Sequence, residues 1–153
     1  MMGYDRLSLA RPRVRRDERA GFGAGTPNLP DQRLPALPVY VIDDDAAVGE
    51  SLRMFLLSEG REVRLFPSVR ALGGELHDLQ PGCILLDAHL GKEDGLKAAL
   101  ALRQLAPDWP IIVMTGSDRN SVADAARAIG AQAILEKPFD LDGLLEQLSR
   151  ASL

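Results

Sequence analysis

The stretch Cys83-Ile84-Leu85-Leu86-Asp87 decides how the rest of the chain is arranged. Apolar residues run without interruption into one carboxylate, and Pro81-Gly82 comes directly before them. A short apolar run bounded by turn residues is typical of a strand buried on both faces of a sheet. In open α/β sheets ligands bind beyond the carboxyl ends of the strands, so Asp87 is a candidate site residue. A helix cap or a turn is the other explanation for a single aspartate here.

Strand-like and helix-like segments alternate along the chain on both sides of this stretch. Four further apolar segments predict strands, at 39–42, 63–66, 111–114 and within 131–136. Helical periodicity follows each strand, from about 45 to 59, 67 to 79, 96 to 105, 121 to 129 and from Asp140 onward. In the last of these helices four leucines are predicted to face inward: Leu141, Leu144, Leu145 and Leu148. The prediction is an α/β fold, a doubly wound five-stranded parallel sheet with five helices, for which we adopt the flavodoxin-like order 2-1-3-4-5.

Charge and composition divide the 153 residues into two parts. Residues 1–33 hold seven arginines and four acidic residues, about +3, which leaves about −7 for the remainder of a chain of net charge −4. Residues 1–36 are rich in Arg, Pro and Gly and show no period, so they are predicted to be a disordered extension. Residues 37–153 are predicted to be the folded domain, and their acidity argues against binding nucleic acid.

The single cysteine and the hydropathy pattern indicate a cytoplasmic protein that has no contact with a membrane. Cys83 is the only cysteine, so no intrachain disulfide can form, and it is interpreted as a core residue of its strand. No segment approaches the roughly 18 apolar residues that a membrane helix needs, and the N-terminus has no apolar run of the signal-peptide type.

Polar side chains follow four of the predicted strands. Asp43-Asp44 follow the first, Asp87 ends the third, Thr115 the fourth and Lys137 the fifth. In the adopted order the three carboxylates converge, and a divalent hard cation such as Mg²⁺ would relieve their repulsion. A hydroxyl and an ammonium opposite them suit a phosphoryl group, with the central Asp87 as nucleophile. Asp45 is predicted to cap the first helix, and Pro138 to form a rigid, cis-compatible peptide.

These motifs together resemble a response-regulator receiver domain of the CheY-like fold, most closely the FixJ type. They are 42–45 (Ile-Asp-Asp-Asp), 85–87 (Leu-Leu-Asp) with Gly95 eight residues on, 114–116 (Met-Thr-Gly) and 136–139 (Glu-Lys-Pro-Phe). The resemblance implies that Asp87 accepts a phosphoryl group from a histidine kinase or a histidine phosphotransfer protein. It also implies that Asp43, Asp44, Asp87 and the backbone carbonyl of His89 hold Mg²⁺. Lys137 would then pair with the phosphoryl group, and Thr115 would carry the conformational switch.

Two departures from the family pattern bear on these expectations. Gly91 stands four residues after the acceptor, where the family usually has proline, so a looser loop is expected. Ile134 stands three residues before Lys137, where an aromatic residue is usual. The second departure puts in doubt whether the surface of helix four, strand five and helix five transmits the signal, as it usually does in the family. Neither departure affects the residues expected to carry out phosphorylation.

The function expected from the sequence is signalling through changed protein–protein contacts. The expected form is a stand-alone receiver with a downstream protein target and a possible phosphorylation-dependent dimer; its only chemistry would be self-phosphorylation from a phosphodonor and slow self-dephosphorylation. Alternatives are the truncated receiver of a DNA-binding regulator and a degenerate receiver that never takes phosphate. A phosphatase of the haloacid-dehalogenase type is a further alternative, with residues 43–45 as its nucleophile motif.

Overall fold

The computed structural model describes residues 36–90 and 93–153, and a parallel sheet forms the centre of this region. Its strands are β1 (Val39–Ile42), β2 (Val63–Phe66), β3 (Cys83–Asp87), β4 (Ile111–Thr115) and β5 (Ala133–Glu136). They lie in the order β2-β1-β3-β4-β5, and every neighbouring pair is parallel. The adopted order 2-1-3-4-5 and the α/β class are therefore confirmed.

Five helices cover the two faces of the sheet, and their bounds fall within a few residues of the prediction. They are α1 (Ala46–Ser58), α2 (Val69–Glu75), α3 (Gly95–Leu105), α4 (Arg119–Ala128) and α5 (Leu141–Arg150). One core joins the sheet to α2, α3 and α4, and the other joins it to α1 and α5. Alternate residues of each strand enter opposite cores: Val41 packs toward α1 and α5, while Ile42 packs toward α2, α3 and α4.

Three local features differ from the sequence-based expectation. The helix after Ser68 ends at Glu75 and continues only as a 3₁₀ turn over Leu76–Asp78, because two glycines inside the predicted segment lower its helix propensity. Leu141, in the first turn of α5, is 41% exposed rather than inward-facing. Residues His89–Leu90 and Glu93–Asp94 pair as a short antiparallel ladder where only a loop was predicted.

Gly60 and Gly95 illustrate two different reasons why a position needs glycine. Gly60 follows the end of α1 with φ of +82°, a left-handed conformation that L side chains rarely adopt and that commonly ends a helix. At Gly95 the reason is space. A Cβ atom there would lie 2.5 Å from the carbonyl oxygen of Asp87 and 3.1 Å from the Leu90 side chain.

The remaining expectations concern Cys83, membrane helices and residues outside the described region. Cys83 is buried, as predicted, and burial raises the pKa of its thiol to about 12, so it is a core residue rather than a nucleophile. Among the helices of residues 36–90 and 93–153, none is long and apolar enough to cross a membrane. The expectations for the N-terminal extension, apart from Ala36, and for Gly91 lie outside the described residues.

Candidate functional site

The register of the sheet brings the predicted site residues to one edge. Ile42 pairs with Leu86 across β1 and β3, so the residues that follow, Asp43 and Asp87, emerge side by side. On the other side of β3, Thr115 ends β4 opposite Glu136 of β5, and Lys137 comes next. The backbone amide of Lys137 donates to the carbonyl oxygen of Thr115 at 2.7 Å, which ties the two strand ends together.

Three carboxylates form a compact acidic cluster at this edge. One oxygen each from Asp43, Asp44 and Asp87 lies within 4.8 Å of the others. Asp43 and Asp87 are buried, whereas Asp44 is exposed to solvent. Asp45 does not join the cluster: its carboxylate accepts hydrogen bonds from the amides of Ala47 and Val48, which confirms the predicted cap of α1.

Lys137 bridges two of the three carboxylates. Its Nζ atom donates to Asp43 Oδ2 and to Asp87 Oδ2, each at 3.2 Å. Burial by itself would lower the pKa of Lys137, but the two carboxylates outweigh it and raise that pKa. The ammonium therefore stays charged at neutral pH. The peptide between Lys137 and Pro138 is cis, in agreement with the expectation for this proline.

The carboxylate of Asp87 is held at both oxygens. Oδ2 accepts from Lys137, and Oδ1 accepts from the backbone amide of His89 at 3.0 Å. Burial is the strongest influence on the pKa of Asp87 and raises it; the hydrogen bond from His89 and the charge of Lys137 oppose that rise, while Asp43 adds to it. The pKa of Asp87 is raised overall, which makes it a more basic and less solvated carboxylate than a surface aspartate.

The Thr115 hydroxyl lies at the same sheet edge but bonds within its own loop. Thr115 is fully buried, and its Oγ1 accepts from the backbone amide of Ser117 at 3.0 Å. Beside it, Gly116 would meet nothing within 4 Å if it carried a Cβ atom. Asp87 pairs with Met114, the residue before Thr115, so Thr115 ends the strand next to the one that ends in Asp87.

Two contacts at this edge were not foreseen from the sequence. One is the hydrogen bond from the backbone amide of His89 to Asp87, which is separate from the role that the resemblance implies for the backbone carbonyl of His89. An aspartate at the end of a strand readily accepts from the amide two residues on, so this contact had a recognisable signal. The other contact joins the side chains of His89 and Ser117, with Nε2 and Oγ 3.4 Å apart. No sequence pattern links those positions.

An apolar groove of about 430 Å³ runs along α1 beside the acidic cluster. It lies between α1 and the loop that leads into α5, and Leu141 contributes to its wall. Lys137, which bonds to Asp43 and Asp87 of the acidic cluster, also lines the groove, so the groove reaches the cluster through this lysine.

Comparisons with known proteins identify the class to which this fold and site belong. Residues 39–149 match the family model of the response regulator receiver domain, and the chain belongs to that family. This is a different family from the haloacid dehalogenases considered above. The resemblance drawn from the sequence motifs is confirmed.

Particular relatives are regulators of the FixJ type and other response regulators. The chain is 40% identical over 118 residues to the transcriptional regulatory protein FixJ of Azorhizobium caulinodans, covering 77% of this chain and 56% of that one. Full-length FixJ from B. japonicum aligns with a TM-score of 0.68 at 35% identity, over 74% of this chain and 56% of that one. A response regulator from Burkholderia pseudomallei aligns with a TM-score of 0.65 at 30% identity, over 73% and 66%. The chain spans about half the length of the curated relatives it matches.

Proposed function

We propose that this chain is a phosphorelay receiver in which Asp87 accepts a phosphoryl group from a phosphohistidine. The donor would be a histidine kinase or a histidine phosphotransfer protein. One observation carries the proposal: Asp87 is a buried carboxylate that shares Lys137 with Asp43 inside the acidic cluster. A phosphoryl acceptor needs a nucleophile beside fixed positive charge, and little else from the protein.

In the proposed transfer, a carboxylate oxygen of Asp87 attacks phosphorus. The bond between phosphorus and the donor imidazole nitrogen breaks, its electron pair returns to the imidazole, and an acyl phosphate forms on Asp87. Lys137 faces Asp87 Oδ2 at 3.2 Å and is placed to neutralise charge on the phosphoryl oxygens. The amide of His89 holds the other oxygen and fixes the orientation of the carboxylate.

The donor set of the acidic cluster fits a magnesium ion. Three carboxylates and one ammonium carry a net charge of about −2, which a divalent cation balances, and all the available atoms are hard oxygen ligands. Asp43, Asp44 and Asp87 would hold the ion, together with the backbone carbonyl of His89. When bound, Mg²⁺ supplies charge neutralisation to the phosphoryl group. The similar B. pseudomallei regulator was crystallised with a phosphorylated aspartic acid and a calcium ion, which supports an oxygen-bound divalent cation beside the acceptor.

We further propose that the donor protein seats on the apolar groove beside α1. A histidine can reach Asp87 only if its protein docks next to the cluster, and the groove meets the cluster at Lys137. The groove has apolar walls, including the partly exposed Leu141, and such surface favours association with another apolar surface.

Output would follow through altered protein contacts, with the buried Thr115 as the responding hydroxyl. Phosphorylation adds charge beside Thr115 and biases the surface between two states, so that a partner protein binds, leaves or forms a dimer. The acidic character of residues 34–153 disfavours nucleic acid as a direct partner of this part of the chain. A cytoplasmic location agrees with the single, buried cysteine.

Labelling with acetyl phosphate tests the proposal directly. In the presence of Mg²⁺ the chain should acquire one acid-stable, base-labile phosphoryl group, and omission of Mg²⁺ should prevent labelling. Asp87→Asn should remove the label, while Asp124→Asn, a change at a fully exposed aspartate of α4, should retain it. Equal label on Asp87→Asn and the native chain would remove Asp87 from the role. Broad turnover of phosphate monoesters would support the phosphatase alternative instead.

A further inference from the structure

The loop that joins β4 to α4 is held at both ends by two successive residues, Glu136 and Lys137. At its start, the carbonyl oxygen of Thr115 accepts from the backbone amide of Lys137 at 2.7 Å. At its end, the backbone amide of Arg119, the first residue of α4, donates to Oε2 of Glu136 at 3.1 Å. The first contact joins two backbones. The second depends on one exposed side chain, so a substitution can remove it.

The carboxylate of Glu136 complements the helix cap at the start of α4. The side chain of Asp118 accepts from the amide of Asn120, and its carbonyl oxygen accepts from the amide of Ser121, both at 3.0 Å. The amide of Arg119 donates instead to Glu136. Because the N-terminus of a helix carries partial positive charge, a carboxylate is a favourable partner there. Glu136 thus fixes the start of α4 to the end of β5.

The apolar packing of α4 is slight, which gives the polar contacts at its ends more weight. Within the bounds of α4, only Val122 and Ala126 are buried. Just beyond the far end, the guanidinium of Arg103 donates to the carbonyl oxygen of Ile129 at 2.8 Å and also to carbonyl oxygens of the turn after α3. The far end of α4 is therefore joined to a well-bonded arginine, whereas its start is tied to β5 by the exposed carboxylate of Glu136.

We propose that Glu136 is a positioning residue for Thr115, and that its contact with α4 opposes movement of Thr115 toward a phosphoryl group on Asp87. The inference rests on the proposed function, in which Thr115 is the responding hydroxyl. Oγ1 of Thr115 accepts from the amide of Ser117, inside the same loop. A response of Thr115 must break this bond or move the loop with it. Because Glu136 fixes the far end of the loop, its contact favours the present arrangement over the responding one.

The expected size of the effect follows from the kind of contact that Glu136 makes. A contact that is present in one arrangement and absent from the other shifts the equilibrium between them by its own free energy. For an exposed carboxylate at a helix N-terminus, that shift is about two- to fivefold. Removing the carboxylate should therefore strengthen the binding of a phosphoryl mimic by the same factor.

Titration of the full chain with beryllofluoride, a mimic of the phosphoryl group, in the presence of Mg²⁺ measures this affinity. Glu136→Ala should bind the mimic about two- to fivefold more tightly than the native chain. Glu136→Gln, which keeps an acceptor oxygen but no charge, should lie between the two. Glu146→Ala is the matched control: it removes a glutamate of α5 whose carboxylate pairs with Arg150, and it should bind the mimic as the native chain does.

Amide hydrogen exchange without Mg²⁺ or beryllofluoride gives a measurement that does not depend on phosphorylation. In Glu136→Ala the amide of Arg119 should exchange faster than in the native chain, and in Glu136→Gln by a smaller factor. The amide of Ile129, which donates to the carbonyl oxygen of Ala125, should exchange at the native rate in both variants. That pattern indicates local release of the start of α4 rather than loss of the helix.

Outcomes separate this inference from the proposed function. A native chain that neither takes label from acetyl phosphate nor binds beryllofluoride overturns both. If the native chain binds the mimic and Glu136→Ala binds it equally or more weakly, the role of Glu136 alone is overturned. Faster exchange at Ile129 as well as at Arg119 also overturns that role, because the variant has then lost the helix. Equal affinities of Glu136→Gln and Glu136→Ala overturn it too, since they assign the effect to charge rather than to the contact.

Discussion

Replacing Lys137 with methionine tests the electrostatic balance of the site most directly. At an effective dielectric constant of 20, each 3.2 Å contact between Nζ and a carboxylate amounts to about 5 kcal/mol of attraction. Carboxylate oxygens that lie within 4.8 Å of one another repel by at least about 3.5 kcal/mol on the same scale. Removing one partner of a buried ion pair typically costs about 3–5 kcal/mol. Because the Lys137 side chain is 27% exposed, we expect Lys137→Met to lower the free energy of unfolding by about 2–3 kcal/mol without Mg²⁺.

Magnesium should offset this loss, because it neutralises the same carboxylates. The variant should bind Mg²⁺ about tenfold more tightly than the native chain, since the competing ammonium is gone. Mg²⁺ should therefore stabilise Lys137→Met by at least about 1 kcal/mol more than it stabilises the native chain at equal concentration. Denaturant unfolding followed by fluorescence measures both effects, as Trp109 is the only tryptophan and is buried.

The pH dependence provides an independent check on the same variant. The pKa of Asp87 is raised in the folded native chain and should rise further once Lys137 is removed. Between the unfolded and the folded pKa of such a group the folded state binds more protons, so stability increases as pH falls. The loss of unfolding free energy caused by Lys137→Met should therefore be smaller below neutral pH. The double variant with Asp87→Asn and Lys137→Met should regain part of the lost unfolding free energy.

Lys97→Met serves as the control, because Lys97 is an exposed lysine of α3. It should change neither stability nor the response to Mg²⁺. The electrostatic account would be refuted if Lys137→Met unfolded like the native chain, or if Mg²⁺ stabilised both proteins equally.

Three further predictions concern the cation, the acceptor loop and the groove. Asp44→Ala should prevent Mg²⁺-dependent labelling while changing the unfolding free energy little, because Asp44 is exposed; labelling at the native rate would contradict its role as a ligand. Gly95→Ala should lower the free energy of unfolding by about 1–3 kcal/mol, since its Cβ atom would lie 2.5 Å from a backbone oxygen. A Cβ atom at Gly73 would meet nothing within 4 Å, so Gly73→Ala should raise the free energy of unfolding by about 0.5–1 kcal/mol. Leu141→Arg should slow transfer from a phosphorylated histidine protein by at least about tenfold yet leave labelling by acetyl phosphate intact; equal slowing of both reactions would count against docking at the groove.

Much of the fold could be predicted because strong local patterns agreed with one another. Uninterrupted apolar runs such as that before Asp87 become buried strands wherever both faces of a sheet are covered. Asp45 occupies its predicted helix cap, where a short carboxylate satisfies backbone amides that the helix leaves free. Local signals were weakest where two tendencies competed. Helical periodicity predicted a longer α2, but the paired glycines shortened it.

The sequence by itself determined the strands, the helices, and the polar residues that follow the strands, because burial and backbone propensity act over short spans of chain. It did not determine which strands are neighbours; the order β2-β1-β3-β4-β5 had to be adopted in advance, and only the folded sheet establishes it. Contacts between distant residues were also decided by tertiary structure. Arg103 shows this: by sequence it is one basic residue of α3, yet in the fold its guanidinium donates to the carbonyl oxygen of Ile129, 26 positions away, as well as to carbonyl oxygens of the nearby turn. The double contact of Lys137 with Asp43 and Asp87 arises in the same way, since only close-packed parallel strands bring their ends within hydrogen-bonding distance.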